Sequence, residues 1–108
     1  MGQDPSSCLS AYFLTISARR DLKSIWGYIA KDSLRYADLV EDAVLETCRS
    51  AAKAPFLGHR RQEIGNSKIL FLAVSRYEQY SIAYLVNSEP LEVVRVIHGA
   101  RDFPRLFG

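Results

Sequence analysis

Residues 69–98 read ILFLAVSRYEQYSIAYLVNSEPLEVVRVIH, and this stretch decides the fold. Three apolar runs, 69–74, 79–86 and 91–98, are rich in β-branched and aromatic residues and read as strands. The connectors, Arg76-Tyr77-Glu78 and Asn87 to Pro90, are too short to carry a crossover. Antiparallel meander pairing is therefore the economical topology.

The first run is apolar on both parities, with Ile69, Phe71 and Ala73 on one face and Leu70, Leu72 and Val74 on the other. The second is nearly so, with Tyr80, Ile82, Tyr84 and Val86 against Ala83 and Leu85. Strands of this kind want cover on both sides. Two readings satisfy that: they lie at the sheet centre, or their second face meets a partner.

Working towards the N-terminus, 59–67 (HRRQEIGNS) is a polar loop, and Pro55 with Gly58 ends a helical part. Ser33 is the expected cap of a helix reaching to about Lys53, with Ala37, Val40, Val44, Cys48 and Ala51 on its inner face. Asp38, Glu41, Asp42 and Glu46 load its first half, and Arg49 and Lys53 its end, the order a helix dipole favours. No histidine joins the acidic run, which reads as a solvated face rather than a metal site. Before it, Ala18, Leu22, Ile25, Trp26 and Ile29 recur at helical spacing behind Ser17, the expected cap. AYFLTI, 11–16, is a short strand. The order strand, helix, helix, three strands makes an α+β fold: an N-terminal strand and a helical hairpin packed on a mostly antiparallel sheet (β-α-α-β-β-β).

A chain of 108 residues holds one core, so 11–108 is expected to be a single domain behind a polar lead, 1–10, expected to be disordered or an added remnant. The formal charge of +2 is too small to argue nucleic-acid binding by itself. Residues 1–55 balance seven basic against seven acidic side chains; 56–108 carry seven against five. Cys8 and Cys48 have no metal-ligand spacing, and Cys48 reads as a small hydrophobe. With no membrane-length apolar run, the cytoplasm is the expected location. No cofactor and no metal are expected.

The segments SARRDLKSIWGYIAKDSLRYADLVEDAV, APFLGHRR, YSIAYLV and LEVVRVIH followed by GARD together resemble the RelE/ParE superfamily of bacterial type II toxin–antitoxin toxins, over residues 12–107. Each motif is short; their order and spacing carry the resemblance. It implies the helical hairpin on a sheet already read from the residues. It also offers two activities. RelE-like members are ribosome-dependent mRNA endonucleases that need proton-transfer groups and cations for the phosphorane charge. ParE-like members, to which the HGARD ending is similar, bind DNA gyrase and hold it on cleaved DNA.

Carried onto this sequence, the two lysines of RelE fall on Leu72 and Val74, and its strand arginine on Ser81. Its tail arginine is kept as Arg101, and its terminal tyrosine falls on Phe107, which has no hydroxyl. Arg101 alone attracts phosphate but cannot shuttle protons. The resemblance therefore favours a ParE-like gyrase-binding toxin neutralised by a cognate antitoxin that wraps it, possible as a hetero-oligomer. The residues expected at a partner surface are His59, Arg60, Arg61, His98, Arg101, Asp102, Arg105 and Phe107. No catalytic residue is assigned on this reading; an endonuclease would rest on His98 and Arg101 with an arginine of 59–61. A third reading is a non-toxic antitoxin-binding module. Trp26 is expected in the core, with an antitoxin anchor as the alternative.

Overall fold

The computed structural model describes residues 11–61 and 68–99. The elements are β1 (Tyr12–Leu14), α1 (Ile16–Ala30), α2 (Leu34–Lys53), β2 (Ile69–Ala73), β3 (Tyr80–Leu85) and β4 (Leu91–His98), with a 3-10 turn at Pro55–Leu57. One sheet runs in the order β1-β4-β3-β2. β2, β3 and β4 form the expected antiparallel meander, and β1 pairs parallel to β4. The result is the α+β arrangement read from the sequence.

Helix α2 begins at Ser33, whose hydroxyl accepts from the Tyr36 N–H at 3.0 Å. All five residues assigned to its inner face are buried. Helix α1 is capped differently from the expectation. Ile16 is its first residue, and the cap is Thr15, which accepts from the Ala18 N–H at 3.1 Å. Ser17 is exposed within the first turn. The strand is correspondingly shorter than 11–16.

Thr15 wins because it serves two elements at once. Its N–H donates to the Val93 carbonyl at 3.0 Å, and its hydroxyl donates to the Val94 carbonyl at 2.9 Å. The β3–β4 register jumps from Ala83↔Arg95 to Tyr84↔Val93, leaving Val94 as a bulge residue. Beyond Val93, β4 has no β1 residue beside it, and α1 fills the vacancy. Asp21 accepts from the Val96 N–H at 3.0 Å, from Arg95 Nε at 2.7 Å and from Arg95 Nη2 at 2.9 Å. One carboxylate thus finishes a strand edge and neutralises an arginine.

The main core lies between the helical hairpin and the sheet. Ala18, Leu22, Ile25 and Ile29 meet Val40, Val44 and Cys48 there, over Ile82, Tyr84, Val93 and Val96 of the sheet. On the other face Phe71, Ala83 and Ile97 form a second cluster, at 5%, 0% and 1% exposure. Ile69 and Val94 beside them are half-buried. Thr47 is a buried polar residue of α2 with both functions met: it donates to Ala43 O at 2.8 Å and accepts from Ser75 N at 3.3 Å. It ties the β2–β3 turn to α2.

That turn, Val74 to Tyr77, is closed by the Tyr77 N–H on the Val74 carbonyl at 3.1 Å. Arg76 occupies its third position at φ 74°, where a type II turn prefers glycine or asparagine.

Candidate functional site

His59 lies against the outer edge of β2. Its N–H donates to the Phe71 carbonyl at 2.7 Å, and its own carbonyl accepts from the Phe71 N–H at 2.8 Å. The first residue of the expected polar loop is therefore a rung of the sheet, and the following arginines are carried out from it. Arg61 places its guanidinium 5.9 Å from the Phe71 ring centroid, on the sheet face away from the helices. Arg60 is exposed.

His98 belongs to a different place. It pairs with Tyr80 at the far end of β4, and the two rings meet edge-on at 5.3 Å. Tyr80 belongs to the core cluster under the helices. Three strand spacings across and three residues along separate His59 from His98, about 17 Å. The two histidines expected at a partner surface thus sit at different places on the sheet. Beside His98, Gly99 does not adopt the left-handed conformation: among the described residues no glycine has positive φ. Its N–H simply donates to Gln79 O at 2.8 Å. Arg101, Asp102, Arg105 and Phe107 lie outside the described residues.

The strand positions bearing on RNA cleavage are all described. Val74 is buried in the helix-side core and Leu72 packs against it. Ser81 pairs with Ala73 and Ile97, on the opposite parity. A cleavage site must gather its groups on one surface, so Leu72 and Val74 cannot share one with Ser81. Moving the comparison by one residue corrects this and brings Phe71 and Ala73 onto Ser81's face. Neither register supplies a base or a cation: the side chains are leucine, valine, phenylalanine and alanine. Among the described residues no group of three or more His, Cys, Asp or Glu is arranged to hold a metal. Cys48 is buried in α2, and burial pushes its thiol pKa up to about 12, so it is no nucleophile at neutral pH.

Gly58 is required by close approach. A Cβ there would collide with the Tyr84 hydroxyl and come within 2.9 Å of Leu70 Cβ. The Tyr84 hydroxyl donates to the Pro55 carbonyl at 2.6 Å, so the APFLG segment is pinned to the sheet and sets where residues 59–61 emerge.

Sequence reasoning passed over a feature where β1, α1 and α2 meet. Leu14, Leu22 and Trp26 floor a hollow of about 200 Å³, rimmed by Arg19 and Lys23 of α1 and by Glu41 of α2. The Trp26 indole N–H donates to Asp38 at 2.8 Å, which fixes the ring at the margin. Arg19 and Lys23 stand four apart, and that spacing on one helix face was the available signal.

A family model described as the ParE toxin of the type II toxin–antitoxin system parDE matches residues 12–103. The chain belongs to this family. Among solved structures, this ParE-family toxin resembles a chain of the chromosomal ParDE toxin–antitoxin system from P. aeruginosa. The TM-score is 0.65 at 17% identity, over 81% of this chain and 92% of that one, a likeness of fold. Comparison with curated protein sequences gives no match. Among the described residues no helix of this ParE-family chain is long and apolar enough to cross a membrane.

Proposed function

We propose that this ParE-family chain inhibits DNA gyrase by binding it, in the cytoplasm, and that a cognate antitoxin neutralises it. The observation that carries the reading is the sheet itself. At the strand positions where an RNA-cleaving relative needs lysines and an arginine, either register offers only apolar side chains and Ser81. A toxin that traps an enzyme on its DNA needs a complementary surface instead of an acid–base set. Arg60 and Arg61, held out from the sheet edge, and the tail residues Arg101, Asp102, Arg105 and Phe107 are the proposed contacts to gyrase. His98, seated on Tyr80, acts mainly by shaping the end of β4 from which that tail departs.

The test is direct. Purified chain added to gyrase and supercoiled plasmid should yield linear DNA after protein digestion, and antitoxin added first should prevent it. Arg101→Ala should lower the yield of linear DNA at an unchanged unfolding midpoint. Unhindered gyrase together with cleavage of ribosome-bound mRNA would replace binding with catalysis, and cells growing normally on the free chain would leave only an antitoxin-binding module.

A further inference from the structure

The charges of this chain are unevenly divided. Between Glu46 and Glu78 the sequence holds six basic residues, Arg49, Lys53, Arg60, Arg61, Lys68 and Arg76, and one acid, Glu63. Of fourteen basic and twelve acidic side chains in all, that leaves eight basic against eleven acidic elsewhere. The net charge of +2 therefore conceals a cationic stretch and an acidic remainder.

The fold gathers these cations along one border of the sheet. β2 is an outermost strand. Lys68 stands immediately before it and Arg76 in the turn after it. Arg60 and Arg61 run out from His59, the residue hydrogen-bonded to the open edge of β2. Lys53 ends α2, two residues ahead of the Pro55 carbonyl that Tyr84 holds. All five are exposed. Arg49 is committed to Glu46 at 2.6 Å, but Lys53, Arg60 and Arg76 form no ion pair among the described residues. Glu78, two residues from Arg76, does not pair with it. The ends of this border are also held in place. Gly58 is packed against Tyr84 and Leu70, Ser75 donates to Thr47 at 3.3 Å, and Arg76 keeps a left-handed backbone at φ 74°.

A row of like charges on a fixed frame asks for a row of anions. Five strand residues span about 17 Å, and a duplex carries about five phosphates per strand over that length. Carboxylates on a protein partner could answer the same charges, but protein contacts centre on buried apolar anchors and are poor in lysine. Along this border the large exposed apolar side chains are Phe56, 80% exposed, and Leu57, both on the turn before Gly58. The observations favour a phosphate backbone, read by charge and without base sequence.

Resting on the gyrase reading above, we infer that the β2 border meets gyrase through the DNA it holds. Arg60 and Arg76 bind backbone phosphates from beside the strand and from its far turn, and Lys53, Arg61 and Lys68 extend the same cationic row. The toxin then favours gyrase with DNA in place over the empty enzyme, because the border finds its ligand only there.

The experiment titrates labelled full chain with gyrase alone and with gyrase holding a duplex fragment, from low to high salt. The variants are Arg60→Gln with Arg76→Gly, Phe56→Ala, and Arg35→Gln as a charge-matched change on α2. Arg76→Gly relieves the left-handed backbone, and unfolding midpoints confirm that each variant is folded. Wild-type chain should bind the duplex-loaded enzyme at least about 10-fold more tightly at low salt, and the gain should vanish at high salt. The double variant should lose most of that gain, flatten the logarithmic salt slope by about 2, and keep its affinity for gyrase alone within about 2-fold. Phe56→Ala and Arg35→Gln should leave the gain unchanged. An equal loss by the double variant with and without duplex overturns the inference and assigns the border to an acidic protein surface. A salt-independent loss confined to Phe56→Ala overturns it in favour of an apolar protein contact. In both cases gyrase binding itself stands. If the wild-type chain binds gyrase in neither state, the functional reading fails and takes the inference with it.

Discussion

Asp21 illustrates how much a single side chain carries here. It is partly buried, accepts three hydrogen bonds and joins α1 to β4 across more than seventy residues of sequence. Asp21→Ala removes both hydrogen bonds from Arg95 to this carboxylate and leaves the Val96 N–H unsatisfied at a strand edge. That should lower unfolding stability by about 2–4 kcal/mol in denaturant titration, far more than an exposed ion pair such as Glu46–Arg49 would. Arg76 predicts the opposite sign. Holding an L-residue in the left-handed region costs about 1 kcal/mol, so Arg76→Gly should raise the urea midpoint by that equivalent. A fall would mean that the arginine side chain holds the turn by contacts that outweigh its strain.

At the scale of elements, the junction of β1 with α1 is the joint on which the helical hairpin hangs. Thr15→Ala should cost about 1–2 kcal/mol, since it removes both the helix cap and the hydroxyl that meets the bulge carbonyl of β4. Ser17→Ala, at the position that looked like the cap, should change the midpoint by less than about 0.5 kcal/mol. Sequence could not separate these two. Both residues are hydroxylic, and Ile16 between them prolongs the apolar run, so a strand to 16 and a cap at 17 were equally good locally. The tie is broken by the carbonyls of Val93 and Val94, which only long-range pairing brings there. The two helices were legible because their apolar faces recur at helical spacing over 15 and 20 residues. The meander was legible because its connectors are short. The parallel pairing of β1 with β4 was not, since no local pattern encodes a register between residues 12–14 and 91–93.

Over the whole molecule, the buried ionisable groups make stability fall at alkaline pH. Burial raises Cys48 from 9.0 to about 12, and raises Tyr12 and Tyr84 above 10.0. Each is favoured in its neutral form by the fold, so its contribution is complete below the unfolded pKa and disappears as pH rises through the folded one. Urea midpoints should be level near neutrality, begin to drop above about pH 9 and steepen above about pH 10. Cys48→Ala should delay the onset to the tyrosine range; an unchanged profile would contradict the burial of the thiol. The candidate site was less legible than the fold. A one-residue slip in a strand moves every side chain to the other face, so a comparison by sequence alone set Leu72 and Val74 beside Ser81. The two-walled hollow was hidden because its sides come from separate elements.

The parallel pairing of β1 with β4 also dictates an order of events during synthesis. β1 finds its neighbour in β4, which is translated well after it, and Thr15 and Asp21 wait for the same stretch. Until residues 91–98 emerge, the nascent chain has a helical hairpin with no finished sheet beneath it. A translation product interrupted before residues 91–98 therefore lacks the sheet on which the helical hairpin rests.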